Sequence, residues 1–162
     1  MFDGILFDLD GTLWDALEGI CLSWNRALAR FRPDLEGAVT PARLKGCMGM
    51  LLPDIAKKLF PQVEPGELAP LLEVCCDMEN EYLARNGGVL CPGAAQALPL
   101  LAEKYPLFIV SNCQDGYIES FFAAHGLGRY FTDWECPGRT GRPKAENIRP
   151  VAARNGLGRP VY

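Results

Sequence analysis

Short, continuous apolar runs recur along the chain, and each of them ends in polar residues. The run 4–7 leads into Asp8, and the run 106–110 leads into Ser111 and Asn112. Runs of this length without a polar interruption are typical of parallel strands that are covered on both faces. The pattern therefore predicts two buried strands whose carboxyl ends carry polar side chains.

Between these two runs the periodicity is helical, from residue 15 to about residue 88. The first helical stretch, 15–31, places its apolar residues on one stripe: Leu17, Ile20, Cys21, Trp24, Ala27, Leu28 and Phe31. A later helix has Thr40 as its N-cap, and glycines at 87 and 88 end the last one. Because no strand pattern interrupts this segment, we expect it to be entirely helical.

After residue 88 helices and strands alternate. A turn and a helix precede the second apolar run, and a helix ending at Gly126 follows it. A third strand at 131–136, a helix ending at Gly156 and the beginning of a fourth strand at 159–162 come next. This alternation predicts an α/β fold in which a parallel sheet with right-handed crossovers carries a helical insertion after its first strand.

Two carboxylates, Asp8 and Asp10, stand two residues apart where the first strand ends. Functional groups of such sheets lie at the carboxyl ends of the strands, so both are expected at one rim with Ser111 and Asn112. In extended backbone the side chains of residues i and i+2 share a face. Like charges that close repel unless a cation is present or one group is protonated. Mg2+, which takes one or two carboxylates plus waters and phosphate oxygens, fits this pair.

The same residues suit phosphoryl transfer. A carboxylate can attack phosphorus and form an aspartyl-phosphate, while a second acid protonates the leaving oxygen and later activates water. Phosphoryl oxygens also need hydrogen-bond donors and a cation. These groups are available from Thr12, Ser111, Asn112 and Lys144, the last of which opens a helix at the same edge.

Composition narrows the function classes. The chain has 162 residues, 49% of them apolar, which suffices for one domain or a small core with an inserted subdomain. A net charge of -4 does not indicate the basic surface that nucleic-acid binding needs. No apolar run is long enough for a transmembrane helix, and the N-terminus lacks the basic region and apolar stretch of a signal peptide. Seven cysteines without a CxxC pair, beside a single histidine, argue against structural zinc and predict reduced thiols in the cytoplasm.

The motifs resemble those of the haloacid dehalogenase (HAD) superfamily. "DLDGTLWD" matches its first motif, DxDGTxxD; "VSN" matches the second, and "RPKAENI" the third. The chain is similar to subfamily I members with a helical cap, the phosphoglycolate-phosphatase-like and β-phosphoglucomutase-like proteins. The resemblance implies a Rossmann-like core formed by residues 1–14 and 89–162, with the cap at 15–88.

The resemblance also implies roles for the site residues. Asp8 would be the nucleophile and a Mg2+ ligand. Asp10 would be the general acid and base, with its backbone carbonyl on the metal. The phosphate would be held by Thr12, Ser111, Asn112 and Lys144. The family's fourth motif, an acidic pair after the next strand, has no counterpart before Tyr162, so the chain is expected to be truncated and its own activity is an open question.

The expected function is hydrolysis of a small phosphorylated metabolite, with no nucleic-acid or membrane partner and an unknown oligomeric state. Asp10 argues against dehalogenation, since dehalogenases lack that acid. A phosphosugar mutase and a non-catalytic scaffold that binds a ligand or partner are the alternatives. A Schiff-base reaction would need a cap lysine, for which Lys45 is a candidate.

Four further residues have alternative structural and functional interpretations: Trp14, Asp15, Asp115 and His125. Cys113 lies near the rim but lacks an evident base.

Overall fold

The architecture is a parallel sheet whose strands are separated along the chain by helices. A computed structural model describes residues 2–162. The strands are β1 (Ile5–Phe7), β2 (Trp14–Asp15), β3 (Val89–Leu90), β4 (Leu107–Val110) and β5 (Phe131–Glu135). The strands β1, β4 and β5 form one parallel sheet in the order β1-β4-β5. The predicted α/β fold is therefore confirmed, and both apolar runs are strands.

Residues 2–162 include eight α-helices. They are α1 (Leu17–Phe31), α2 (Pro41–Lys45), α3 (Leu52–Leu59), α4 (Pro65–Asn86), α5 (Ala94–Ala102), α6 (Tyr117–His125), α7 (Pro137–Thr140) and α8 (Lys144–Arg154). The Thr40 side chain caps α2 by accepting a hydrogen bond from the Arg43 amide, as predicted. Phe31 does not belong to the buried stripe of α1: it is 49% exposed because it is the last residue of that helix.

Two very short strands border the helical segment. The prediction that residue 15 begins a helix is wrong, because Trp14 and Asp15 form β2 and pair antiparallel with Leu90 and Val89 of β3. Two residues are too few to show a strand period, so no pattern in the sequence predicts β2 or β3. This ribbon brings the beginning and the end of the helical segment together. The proposed division into core and cap remains a prediction.

The predicted fourth strand begins where the sequence suggested, beside β1. The Val161 amide donates to the Gly4 carbonyl at 3.0 Å, and the Leu6 amide donates to the Val161 carbonyl at 2.8 Å. Ile5 and Val161 form a parallel bridge. Residues at the end of the chain therefore lie alongside the strand that leads to Asp8.

One apolar cluster joins the helical segment to the sheet. It includes the fully buried Trp14 and Trp24, together with Tyr117 and Phe121 of α6. All seven cysteines are free thiols, and the five that are buried belong to this apolar cluster. Within residues 2–162, none of the helices has the length and apolar character needed to cross a bilayer.

Candidate active site

Three of the predicted site residues meet at the carboxyl ends of the strands. Asp8 follows β1, Asn112 lies two residues beyond β4, and Lys144 begins α8. The Lys144 ammonium donates to Asp8 Oδ2 at 2.7 Å, and the Lys144 backbone amide donates to Asn112 Oδ1 at 2.8 Å. The carboxylate, the amide and the ammonium therefore form one connected group, although 136 residues separate Asp8 from Lys144.

The lysine is held in its charged form. Burial opposes the charge, but the hydrogen bond with Asp8 and the interaction with Tyr162 outweigh this effect and raise the pKa of Lys144. The Lys144 ammonium also lies 5.4 Å from the centre of the Tyr162 ring. A fixed cation next to Asp8 is what a phosphoryl group would require at this position.

Asp10 lies in a different environment from Asp8. Its Oδ1 accepts hydrogen bonds from the Tyr117 hydroxyl at 2.6 Å and from the Trp14 indole nitrogen at 3.2 Å. Burial is the main cause that raises the pKa of Asp10 from 3.8 to about 6, with the charge of Asp8 acting in the same direction. A carboxyl with this pKa can both give and take a proton near neutrality. Two neighbouring carboxyls with different environments are typical of an acid and a nucleophile.

Ser111 and Thr12 are placed less directly. Ser111 is buried at the end of β4, where its amide donates to the Glu135 carbonyl at 3.3 Å. Thr12 is exposed in the turn after Asp10 and lines a separate surface cavity that it shares with Gly93. The structure thus groups Asp8, Asn112 and Lys144 by direct contact but shows no such contact for either hydroxyl. Their phosphate-binding roles stay predictions.

Residues with two interpretations at the sequence level are mostly structural. Asp15 Oδ1 accepts from the Leu17 amide at 2.9 Å at the beginning of α1. Trp14 is fully buried with its ring centre 5.4 Å from that of Tyr117, so it packs and positions Asp10. His125 is the last residue of α6, as predicted.

Asp115 and Cys113 complete this group. Asp115 does not cap α6, since the N-cap is Gly116 and the Asp115 carboxylate accepts only from the adjacent Gly116 amide. Burial raises the pKa of the Cys113 thiol well above its ordinary value, which argues against a thiolate nucleophile there. Lys45 is exposed on α2 and does not line the cavity described next.

Sequence reasoning missed a second buried polar group beside Asp10. Glu79 of α4 is 3% exposed, and it accepts hydrogen bonds from the Trp24 indole nitrogen and from Gln114 Nε2. Together with Asp10 and Tyr117, these residues line a cavity of about 50 Å³. One signal existed: Glu79 interrupts the buried face of α4, where its neighbours on the same face are Leu71, Cys75, Cys76 and Leu83. An acid on such a face is rarely buried without a partner.

The cavity is reached from a wider cleft. That cleft has a volume of about 740 Å³ and lies between α3 and α4 on one side and the segment after β4 and β5 on the other. Asn112 and Gln114 line both spaces. Asn112, which contacts Lys144, therefore lies where the cavity and the cleft meet.

The donor set fits Mg2+ in kind. Asp8 and Asp10 offer only oxygen atoms, and each carboxylate keeps acceptor capacity beyond the hydrogen bonds described above. Among residues 2–162, no cluster of three or more His, Cys, Asp or Glu side chains is arranged to enclose a metal. Mg2+ with one or two protein carboxylates, waters and phosphate oxygens needs no such enclosure.

The decisive comparison is with protein families. Residues 5–158 match the model of the haloacid dehalogenase-like hydrolases. The chain belongs to this family. This match confirms the resemblance that the three sequence motifs indicated, and the chain is called a HAD chain below. No curated protein matches the chain.

Solved structures support the same fold. A Bacteroides fragilis protein described as a haloacid dehalogenase-like hydrolase has a TM-score of 0.78 at 21% identity, over 96% of this chain and 74% of its own. A Haemophilus somnus protein described as a predicted phosphoglycolate phosphatase has a TM-score of 0.77 at 22% identity, over 96% and 72%. A Bacillus subtilis HAD hydrolase, solved with bound magnesium, has a TM-score of 0.63 at 19% identity, over 94% and 74%. At these identities, the similarity establishes only the fold of the HAD chain.

Proposed function

We propose that this HAD chain is a Mg2+-dependent phosphatase of small phosphorylated metabolites that acts through an aspartyl-phosphate. The observation that carries the proposal is the contact between Lys144 and Asp8 beside an Asp10 whose pKa is raised to about 6. Asp8 is paired with a cation, while its neighbour Asp10, whose pKa is raised, can hold a proton. This division of states is what a nucleophile and a general acid require.

The reaction would proceed in two steps. An oxygen of Asp8 attacks phosphorus, the bond from phosphorus to the ester oxygen breaks, and Asp10 gives its proton to the departing alcohol. Asp10 then takes a proton from water, the water oxygen attacks phosphorus, and the bond to Asp8 breaks to release phosphate. Tyr117 and Trp14 hold Asp10 in place in both steps, because each donates to its Oδ1.

Cationic and amide groups would bind the phosphoryl oxygens. Lys144 and Asn112 already lie together at the rim, and Asp8 with the Asp10 backbone carbonyl would hold the metal. Bound Mg2+ would supply further positive charge against the phosphoryl oxygens. Residues 15–88 would act as the cap. The cytoplasmic location and the absence of nucleic-acid and membrane partners remain predictions from the sequence.

The test is hydrolysis of p-nitrophenyl phosphate by the purified chain, with Mg2+ and with chelator. We expect turnover that needs Mg2+ and that excess chelator abolishes. A folded chain without turnover above background would overturn the phosphatase proposal. It would favour the alternative of a scaffold that binds a ligand or a partner. Interconversion of the isomers of an added sugar phosphate, without release of phosphate, would favour the mutase.

A second expected result concerns the cation. Replacing Lys144 with methionine should lower kcat/KM for p-nitrophenyl phosphate by about 10²-fold, since a preorganised charge next to the phosphoryl group is lost. Lys104→Met removes an exposed lysine at the end of α5 and should leave the rate unchanged. Equal rates in the two variants would contradict the role given to Lys144.

A further inference from the structure

The helical segment contributes one buried acid, Glu79, to the cavity that Asp10 also lines. Glu79 is placed there by α4, which packs against both α1 and α6. Its Oε2 accepts from Trp24 of α1, and its Oε1 accepts from Gln114 at 3.0 Å. Gln114 Nε2 also donates to Asn80 Oδ1 at 3.1 Å, which fixes the orientation of the amide. The carboxyl is therefore held rigidly by residues on both sides of the cavity.

The two hydrogen bonds leave Glu79 with unused acceptor capacity. A carboxylate has about four lone-pair positions, and only two of them are occupied here. Glu79 lines the cavity of about 50 Å³ together with Asp10. Burial of a carboxylate is costly unless its acceptors are satisfied, so a donor that enters this cavity would be stabilised by Glu79.

Apart from the two acids, the lining is apolar or neutral, its polar side chains including the amides of Asn112 and Gln114 and the hydroxyl of Tyr117. Six apolar side chains contribute to it: Ile20, Leu44, Met48, Met50, Leu52 and Ile55. Of the described residues around the cavity, none is a lysine, arginine or histidine. Lys144 is paired with Asp8 at the rim, and Arg142 lies farther out in the wider cleft, whose lining also includes Glu73 and Asp77. When Glu79 is ionised, above its pKa of about 7, a second negative charge inside the cavity would face that carboxylate without a compensating cation.

We propose that Glu79 binds the leaving group of the substrate by accepting a hydrogen bond from its hydroxyl or amino group, so that the cavity selects phosphate esters of small neutral or cationic alcohols. This inference rests on the proposed function for the identity of the ligand as a phosphate ester. Esters whose leaving group carries a carboxylate are rejected by like-charge repulsion. The cavity of about 50 Å³ admits about four groups the size of a water molecule, given about 10–15 Å³ for each.

The experiment is calorimetric titration of the Asp8→Asn protein in Mg2+ with three esters of similar size, at about pH 8.5, where Glu79 with its pKa of about 7 is ionised. These are 2-hydroxyethyl phosphate, ethyl phosphate, which lacks the donor, and 2-phosphoglycolate, which carries a carboxylate instead. Asp8→Asn prevents turnover, so each ester remains intact. We expect 2-hydroxyethyl phosphate to bind at least about tenfold more tightly than either of the others, as one hydrogen bond to a charged acceptor provides.

The matched variants are Glu79→Gln and Glu81→Gln, each added to Asp8→Asn. Both remove one negative charge from α4, but Glu81 is exposed and pairs with Arg85. Glu79→Gln should weaken the preference for 2-hydroxyethyl phosphate over 2-phosphoglycolate by about tenfold, whereas Glu81→Gln should preserve it. Should Glu79→Gln fail to fold, the three affinities of Asp8→Asn alone still decide the matter.

Three outcomes would overturn the inference. They are equal or tighter binding of 2-phosphoglycolate, no binding of any ester, and a preference that Glu79→Gln leaves unchanged. Because these affinities are measured without turnover, they are independent of the hydrolysis assay. Loss of the phosphatase proposal in that assay and loss of the leaving-group proposal here are therefore separate results.

Discussion

Replacing Asp8 with asparagine is expected to lower the rate of p-nitrophenyl phosphate hydrolysis by about 10³-fold or more. Asparagine has nearly the same shape, but its amide oxygen is a far weaker nucleophile than a carboxylate. The substitution also removes the carboxylate that Lys144 contacts at 2.7 Å and that is proposed to hold Mg2+ together with the Asp10 backbone carbonyl. Steady-state rates of the two proteins in saturating Mg2+ measure the effect.

The matched control is Asp15→Asn, the same substitution seven residues farther along the chain. Asp15 is exposed and accepts from the Leu17 amide, a role that asparagine fills equally well. We expect its rate to remain within about twofold of the original, since surface substitutions of this kind have small effects. An Asp8→Asn protein as active as Asp15→Asn would show that Asp8 is not the nucleophile.

Much of the fold follows from local patterns. Strands β1 and β4 are predicted because each is a continuous apolar run, and α8 begins at Lys144 as the motif around it suggests. The ribbon of β2 and β3 is different. Its partners lie about 75 residues apart in the sequence, and two residues per strand carry no period, so only the folded chain brings Trp14 next to Leu90.

The candidate site divides in the same way. Asp8, Asp10 and Lys144 stand in short motifs, and the chemistry of phosphoryl transfer is enough to connect them. Tyr117 is 107 residues from Asp10, and Glu79 is 35 residues from Gln114. Nothing local marks these contacts, because they depend on how α4 and α6 pack against the rim. The sequence marks Glu79 as an acid on the buried face of α4, but it does not show that Glu79 and Tyr117 lie beside Asp10.

A pH-dependent stability is expected from Glu79. Burial is the largest cause that raises the pKa of its carboxyl from 4.5 to about 7, outweighing the hydrogen bonds from Gln114 and Trp24. Between these values the native chain keeps a proton that the unfolded chain releases, so the free energy of unfolding falls as the pH rises. At about 1.4 kcal/mol for each pH unit, the fall attributable to Glu79 is about 3 kcal/mol between pH 4.5 and pH 8.

Glu79→Gln isolates this contribution, because glutamine does not titrate and Asp10 titrates in both proteins. Urea unfolding of the two proteins at a series of pH values gives their difference in stability. We expect the free energy of unfolding of Glu79→Gln, relative to that of the original protein, to increase by about 3 kcal/mol from pH 4.5 to pH 8. Most of this change should be complete by pH 7. Glu81→Gln, which alters an exposed acid of the same helix, should show no comparable trend. A constant difference for Glu79→Gln would mean that this carboxyl is ionised in the folded chain across the whole range, and that its burial is offset by groups other than Trp24 and Gln114.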